Sequence, residues 1–142
     1  MWGILTALLS GALMSVQGVF NTEVTKQTSL WVSSAFVQFT ALLVCLAAWL
    51  FADRSNMLAL AQVEPKYVLL GGAIGAFITA TVIKSMDSLG PARAAMLIVV
   101  AQLLVAYVIE LLGLFGVEKQ PFSVRKMIGM AVAIVGIVIF KW

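Results

Sequence analysis

Histidine is missing from this 142-residue sequence, and cysteine occurs once. Without histidine the chain lacks the commonest metal ligand and the side chain that titrates nearest neutral pH. The single Cys45 closes no intrachain disulfide, so cysteine usage says nothing of compartment. Within its apolar stretch it reads as a small hydrophobe. Charge is scarce as well: Asp, Glu, Lys and Arg make up 11% of residues, against about 25% in soluble domains. No P-loop, no Gly-x-Ser-x-Gly turn and no metal-ligand cluster occurs, so no enzymatic centre and no cofactor is expected. An ATP-driven activity would need a partner chain to bind the nucleotide. The net charge of +3 flanks the apolar stretches and forms no basic run with interleaved aromatics. That distribution suits anionic lipid headgroups and argues against nucleic acid.

Apolar sequence fills the space. Hydrophobic residues account for 63% of the chain, and the mean hydropathy is +1.10. Five stretches carry them, at about residues 2–20, 30–51, 67–86, 92–114 and 124–140. Most are about 20 residues long, the length a helix needs to cross a hydrocarbon core of about 30 Å. Backbone amides in lipid must pair internally, so such runs predict helices. The expected fold is therefore an all-α integral membrane protein. It has one domain of five transmembrane helices across residues 1–142, arranged as a four-helix bundle plus one. The first stretch lacks a basic leader and is too long for a signal sequence core, so it is expected to be retained.

Orientation normally follows Lys and Arg near the span ends. Here one side would carry Arg54, Lys66, Lys119, Arg125 and Lys126, and the other Lys26, Lys84, Arg93 and Lys141. So even a split sets no strong preference. Two copies inserted opposite ways up would build an inverted repeat, an architecture used by transporters. Aromatic residues mark two levels: Trp2, Trp49, Phe51, Tyr67 and Phe122 at one, and Phe20, Trp31, Phe140 and Trp142 at the other, as membrane interfaces favour.

The connections are short. Asn21–Ser29 is polar. Residues 52–66 include an apolar middle, 57–63, suited to lying in the interface as an amphipathic segment. Asp87-Ser88-Leu89-Gly90-Pro91 reads as a tight turn, and 116–123 as a short loop. Short loops make sequential helices antiparallel neighbours. There is no internal repeat.

Small residues suggest where helices touch. Gly71 and Gly75 are four apart, as are Gly72 and Ala76; Gly11, Ser15 and Gly18 share a face; Gly129, Ala133 and Gly136 share another. Each set permits close helix approach, either within the protomer or between two copies. The last is the best candidate for a dimer contact, because the fifth helix is left over from a four-helix bundle.

Polar residues within the spans are the leading functional clue. Ser10, Met14, Gln17 and Asn21 lie on one face of the first span, Ser34, Gln38 and Cys45 on one face of the second, and Thr79 and Thr81 within the third. On the fourth, Gln102 lies near mid-depth. Glu110 lies about one turn from the far end and is the acid placed inside a span. Gln102 and Glu110 are about 80° apart around the helix, so their faces can border one cavity. Glutamine and asparagine side chains in lipid either contact a solute or bond helices together. Glu110 is either a proton-titrating or cation-binding group, or an interfacial carboxylate paired with Arg125, Lys126 or Lys119. Lys84 and Arg93, near span ends, are expected to snorkel.

Several elements in order resemble a known family. These are Gln17-Gly-Val-Phe-Asn21; Tyr67 through Ala76; Leu89-Gly-Pro-Ala-Arg-Ala-Ala95; Ala101-Gln-Leu103; Glu110-Leu-Leu-Gly-Leu-Phe-Gly116; Pro121; and Arg125-Lys-Met-Ile-Gly129 with Gly136. Together they resemble the YdcZ-like family of the drug/metabolite transporter superfamily, over nearly the whole chain. The resemblance implies a multi-pass protein of the bacterial inner membrane. It also implies pairing as an antiparallel homodimer, or as a heterodimer with a homologous chain. The family often has aspartate where this chain has Glu110. Related small multidrug resistance proteins carry an acid deep in their first helix. This chain has none there, so their proton–drug exchange is not carried over residue by residue.

The expected function is that of a secondary-active transporter subunit moving an unidentified small solute by alternating access. Gln17, Asn21, Gln38 and Gln102 would line the cavity, Glu110 would couple protons or bind a cation, and Gly71, Gly75, Gly129 and Gly136 would pack helices. The alternatives are half of an obligate heterodimer, a membrane scaffold or regulatory subunit, and a passive channel.

Overall fold

A computed structural model describes residues 1–141, with the Lys141 side chain and Trp142 outside the described residues. The chain is helical, with no strand among the described residues. Its five α-helices are α1 (Trp2–Gln27), α2 (Leu30–Ala48), α3 (Gly71–Leu89), α4 (Pro91–Leu112) and α5 (Val124–Lys141). A π-helical turn, Trp49–Asp53, continues α2, and a 3₁₀ segment, Lys66–Leu70, leads into α3. Among the described residues four stretches are long and apolar enough to cross a membrane: Trp2–Gln27, Leu30–Asp53, Lys66–Leu89 and Pro91–Leu112. Helix α5 is not among them; its 18 residues include Arg125, Lys126 and Lys141.

Several boundaries differ from expectation for physical reasons. Helix α3 runs to Leu89, so residues 87–89 are helical and the chain bends at Gly90, where φ is 81°. The polar segment after Phe20 is not a loop, because α1 continues to Gln27. Nothing there stops a helix, and the hydroxyls support it: Thr22 Oγ1 donates to Gly18 O at 2.8 Å and Thr28 Oγ1 to Val24 O at 2.7 Å. The chain turns only at Thr28–Ser29, where Ser29 caps α2 by accepting from Val32 N–H at 3.3 Å. Glu23 therefore lies on a helix, paired with Lys26 at 2.6 Å. At 26 residues α1 is about 39 Å long, enough to carry its last turns past the hydrocarbon core. Helix α4 ends earlier than expected, at Leu112, because Gly113 adopts a left-handed conformation with φ 67°. That places Glu110 two residues from the helix end, not a full turn inside it.

Loop 52–66 is more structured than a coil. Trp49 Nε1–H donates to Ser55 O at 2.9 Å, and Asn56 Oδ1 accepts from Leu58 N–H at 2.9 Å to open a 3₁₀ segment, Met57–Gln62. Leu58 and Leu60 on that segment are exposed, as an interfacial segment requires.

The helices group into two compact units, Met1–Ser88 and Leu89–Trp142. In the first, contacts concentrate where the end of α1 meets the start of α2 and the end of α3. Gly18, Asn21 and Thr22 on α1, Ser33 and Ser34 on α2, and Ala80, Ile83 and Met86 on α3 are buried. Ser33 Oγ donates to the backbone carbonyl of Asn21 at 3.0 Å, tying α1 to α2. Gly18 lets α3 approach: a Cβ there would lie 2.4 Å from Met86 Sδ. In the second unit α5 packs against α4.

Candidate functional site

The charged groove of the second unit is built by the ends of α4 and α5. Tyr107 and Glu110 are three residues apart on α4 and so share a face. Lys126 projects from the first turns of α5. Its ammonium lies 2.6 Å from Glu110 Oε2 and 5.7 Å from the centre of the Tyr107 ring. The carboxylate and the aromatic face thus hold one cation between them, an arrangement both interactions favour. Both charged side chains are half-exposed, 41% for Glu110 and 48% for Lys126. Leu103, Ala106, Gly129 and Met130 complete a groove of about 310 Å³.

Backbone bonds fix this geometry. Ser123 N–H donates to Tyr107 Oη at 3.0 Å, and Ser123 Oγ accepts from Lys126 N–H at 3.4 Å at the start of α5. Gln120 N–H donates to the Glu110 carbonyl at 2.8 Å, satisfying a C-terminal carbonyl of α4. The loop folds back tightly enough that a Cβ at Gly113 would meet Lys119 Cβ at 3.1 Å. Sequence reasoning placed Glu110 and Lys126 together as one of its options. It did not single out Tyr107 or Ser123, since their pairing spans 16 residues and has no local signature.

The other polar candidates are placed differently. Ser10, Thr79 and Thr81 donate to carbonyls of their own helices, at 2.9, 3.0 and 2.8 Å to Thr6, Gly75 and Phe77. Such bonds satisfy a hydroxyl without a partner helix. Gln17 on α1 is exposed, Asn21 is buried at the α1–α2 contact, and Gln38 on α2 is half-buried. Gln38 Nε2 lies 3.5 Å from where a Cβ on Gly75 would sit, so Gly75 faces α2. Gln102 on α4 is exposed and is not part of the Glu110 groove. A Cβ at Gly71, Gly129 or Gly136 would meet nothing within 4 Å among the described residues. Two buried hydroxyls, Thr25 Oγ1 and Ser34 Oγ, have no hydrogen-bond partner among the described residues. No group of three or more metal-ligating side chains is present among those residues.

A chain that is helical throughout its described residues, with several helices of membrane length, is of the multi-pass membrane class. The comparison with known families agrees. The chain matches the family described as "Putative inner membrane exporter, YdcZ" over residues 2–139. It belongs to that family, and its place is the bacterial inner membrane. No curated protein and no solved structure matches it.

Proposed function

We propose that this chain is one subunit of a secondary-active transporter that moves a small cationic solute by alternating access. It is built from five spans, with α5 as the fifth and its Arg125 and Lys126 at the headgroup level. Two copies pack antiparallel, which gives the pseudo-two-fold relation that alternating access uses. The near-even split of Lys and Arg between the two ends supports insertion both ways up.

The groove at Glu110 carries the reading. Lys126 occupies it as an internal cation, held by the carboxylate and the Tyr107 ring. An incoming amine or a proton competes with Lys126 for the same carboxylate, so loading and release of the pair are linked. At about 310 Å³ the groove suits a solute at the small end of the usual range of ligand sites.

The test is transport by purified protein in liposomes containing a pH-sensitive dye. A panel of primary amines and quaternary ammonium ions is applied outside. Protein-dependent proton movement is expected with at least one of them, saturating with concentration. No protein-dependent movement with any member, and none of radiolabelled amine in exchange, would overturn the proposal.

A further inference from the structure

The crevice between α4 and α5 has a charged group at each end, and the two are treated differently. At one end Glu110 is neutralised by Lys126 at 2.6 Å. At the other end Arg93 forms no ion pair or hydrogen bond among the described residues. It borders a cavity of about 140 Å³ whose other walls are Leu89, Met96, Leu97, Ile137 and Phe140. One uncompensated guanidinium beside an otherwise apolar cavity on a membrane protein calls for a ligand that is anionic at one end and apolar along its length.

We propose that this cavity binds an anionic glycerophospholipid, with the headgroup phosphate on Arg93 and an acyl chain segment against Met96, Leu97, Ile137 and Phe140. Charge complementarity is the first argument. Arg93 lies on the first turn of α4, which begins at Pro91 and has no side-chain cap. The unpaired amide donors there add to the positive potential of the guanidinium. Guanidinium also matches phosphate oxygens in a two-pronged way that ammonium does not. Depth is the second argument. Arg93 is three residues from the Gly90 bend, where φ is 81° and the chain leaves the helix. The cation is thus at a span end, where headgroups lie, while Met96 and Leu97 are one turn further in. Phe140 comes from the end of α5.

This proposal does not depend on the transport reading, because it concerns the opposite end of the α4–α5 pair. Its test is lipid binding by the intact protein, delipidated in detergent and measured by native mass spectrometry. Phosphatidylglycerol and phosphatidylcholine with identical acyl chains are titrated in parallel. Preference for phosphatidylglycerol of about fivefold is expected, the effect of one cation near an anionic surface. Arg93→Gln should reduce that preference to near unity, and Arg93→Lys should retain most of it, while both keep the wild-type helical signal. Ile137→Trp, which fills the cavity, should lower binding of both lipids. Unchanged preference in Arg93→Gln would overturn the proposal. So would equal binding of the two lipids by the wild type, or displacement of phosphatidylglycerol by millimolar inorganic phosphate alone. If Arg93→Gln does not fold, the Ile137→Trp and phosphate arms decide.

Discussion

Replacing Glu110 by Gln separates a functional carboxylate from a structural one. The pair it forms with Lys126 is short, at 2.6 Å, but the two side chains are 41% and 48% exposed. Half-exposed pairs are screened, and their net contribution is about 0.2–1 kcal/mol. Glu110→Gln keeps the shape and an acceptor oxygen for the Lys126 ammonium, so the loss should not exceed the top of that range, about 1 kcal/mol. In a chain of this length that moves Tm by roughly 3 °C. Lys126→Gln should cost a similar amount, and the double variant no more than their sum, because the remaining groups can hydrogen-bond each other. Function should respond very differently. If the carboxylate exchanges Lys126 for a proton or an amine, Glu110→Gln removes the exchangeable charge, and amine-driven proton movement should fall at least tenfold. Glu110→Asp, with its shorter reach, should keep partial activity. The assays are thermal unfolding in detergent and dye-reported proton movement in liposomes, on the same preparations. Wild-type flux in Glu110→Gln across pH would refute the coupling role. A stability loss above about 3 kcal/mol would refute the reasoning that the pair is screened.

Four further outcomes are expected. Tyr107→Phe leaves Ser123 N–H without its acceptor at the start of α5 and should cost about 1–2 kcal/mol in unfolding free energy; no measurable loss would show that the 3.0 Å bond contributes nothing. Ser33→Ala should destabilise by about 1 kcal/mol while Ser34→Ala is neutral or stabilising, because the first hydroxyl is bonded and the second is not; equal losses in chemical denaturation would contradict this. Gly18→Ala should cost about 1 kcal/mol, since only the flexible end of Met86 must move, whereas Gly18→Ile should cost about 3 kcal/mol; the order is read from paired melting curves, and equal costs would refute it. For the antiparallel pair, a single cysteine placed among residues 53–56 of a Cys45→Ala chain should label in about half the molecules of intact cells. Labelling of all or none would direct attention to an oppositely oriented homologous partner.

The sequence alone determined the material and the location. Its apolar runs, sparse charge and lack of histidine fix an all-helical membrane protein, because lipid leaves a backbone few ways to satisfy its amides. The order of short motifs from Gln17 to Gly136 was enough to show the family. Helix α5 was legible as the apolar stretch at about residues 124–140. The end of α1 was not, since Thr22 and Thr28 look like loop residues until their hydroxyls are seen bonded to carbonyls one turn back. The stop at Gly113 was hidden for a related reason. A glycine among leucines reads as packing unless its backbone angle is known.

Only the tertiary structure decided which polar groups are available. The sequence offered Glu110 three cations, and Lys126 holds it because the fold of residues 113–123 brings the start of α5 back onto the end of α4. That choice depends on Gly113, Gln120 and Ser123 acting through backbone bonds that have no sequence period. Likewise, Ser10, Thr79 and Thr81 are occupied by their own helices, whereas Arg93 has no counter-ion among the described residues. A side chain's residue type sets what it can bind. Whether it is free to do so depends on the distances to its neighbours, and those come from packing.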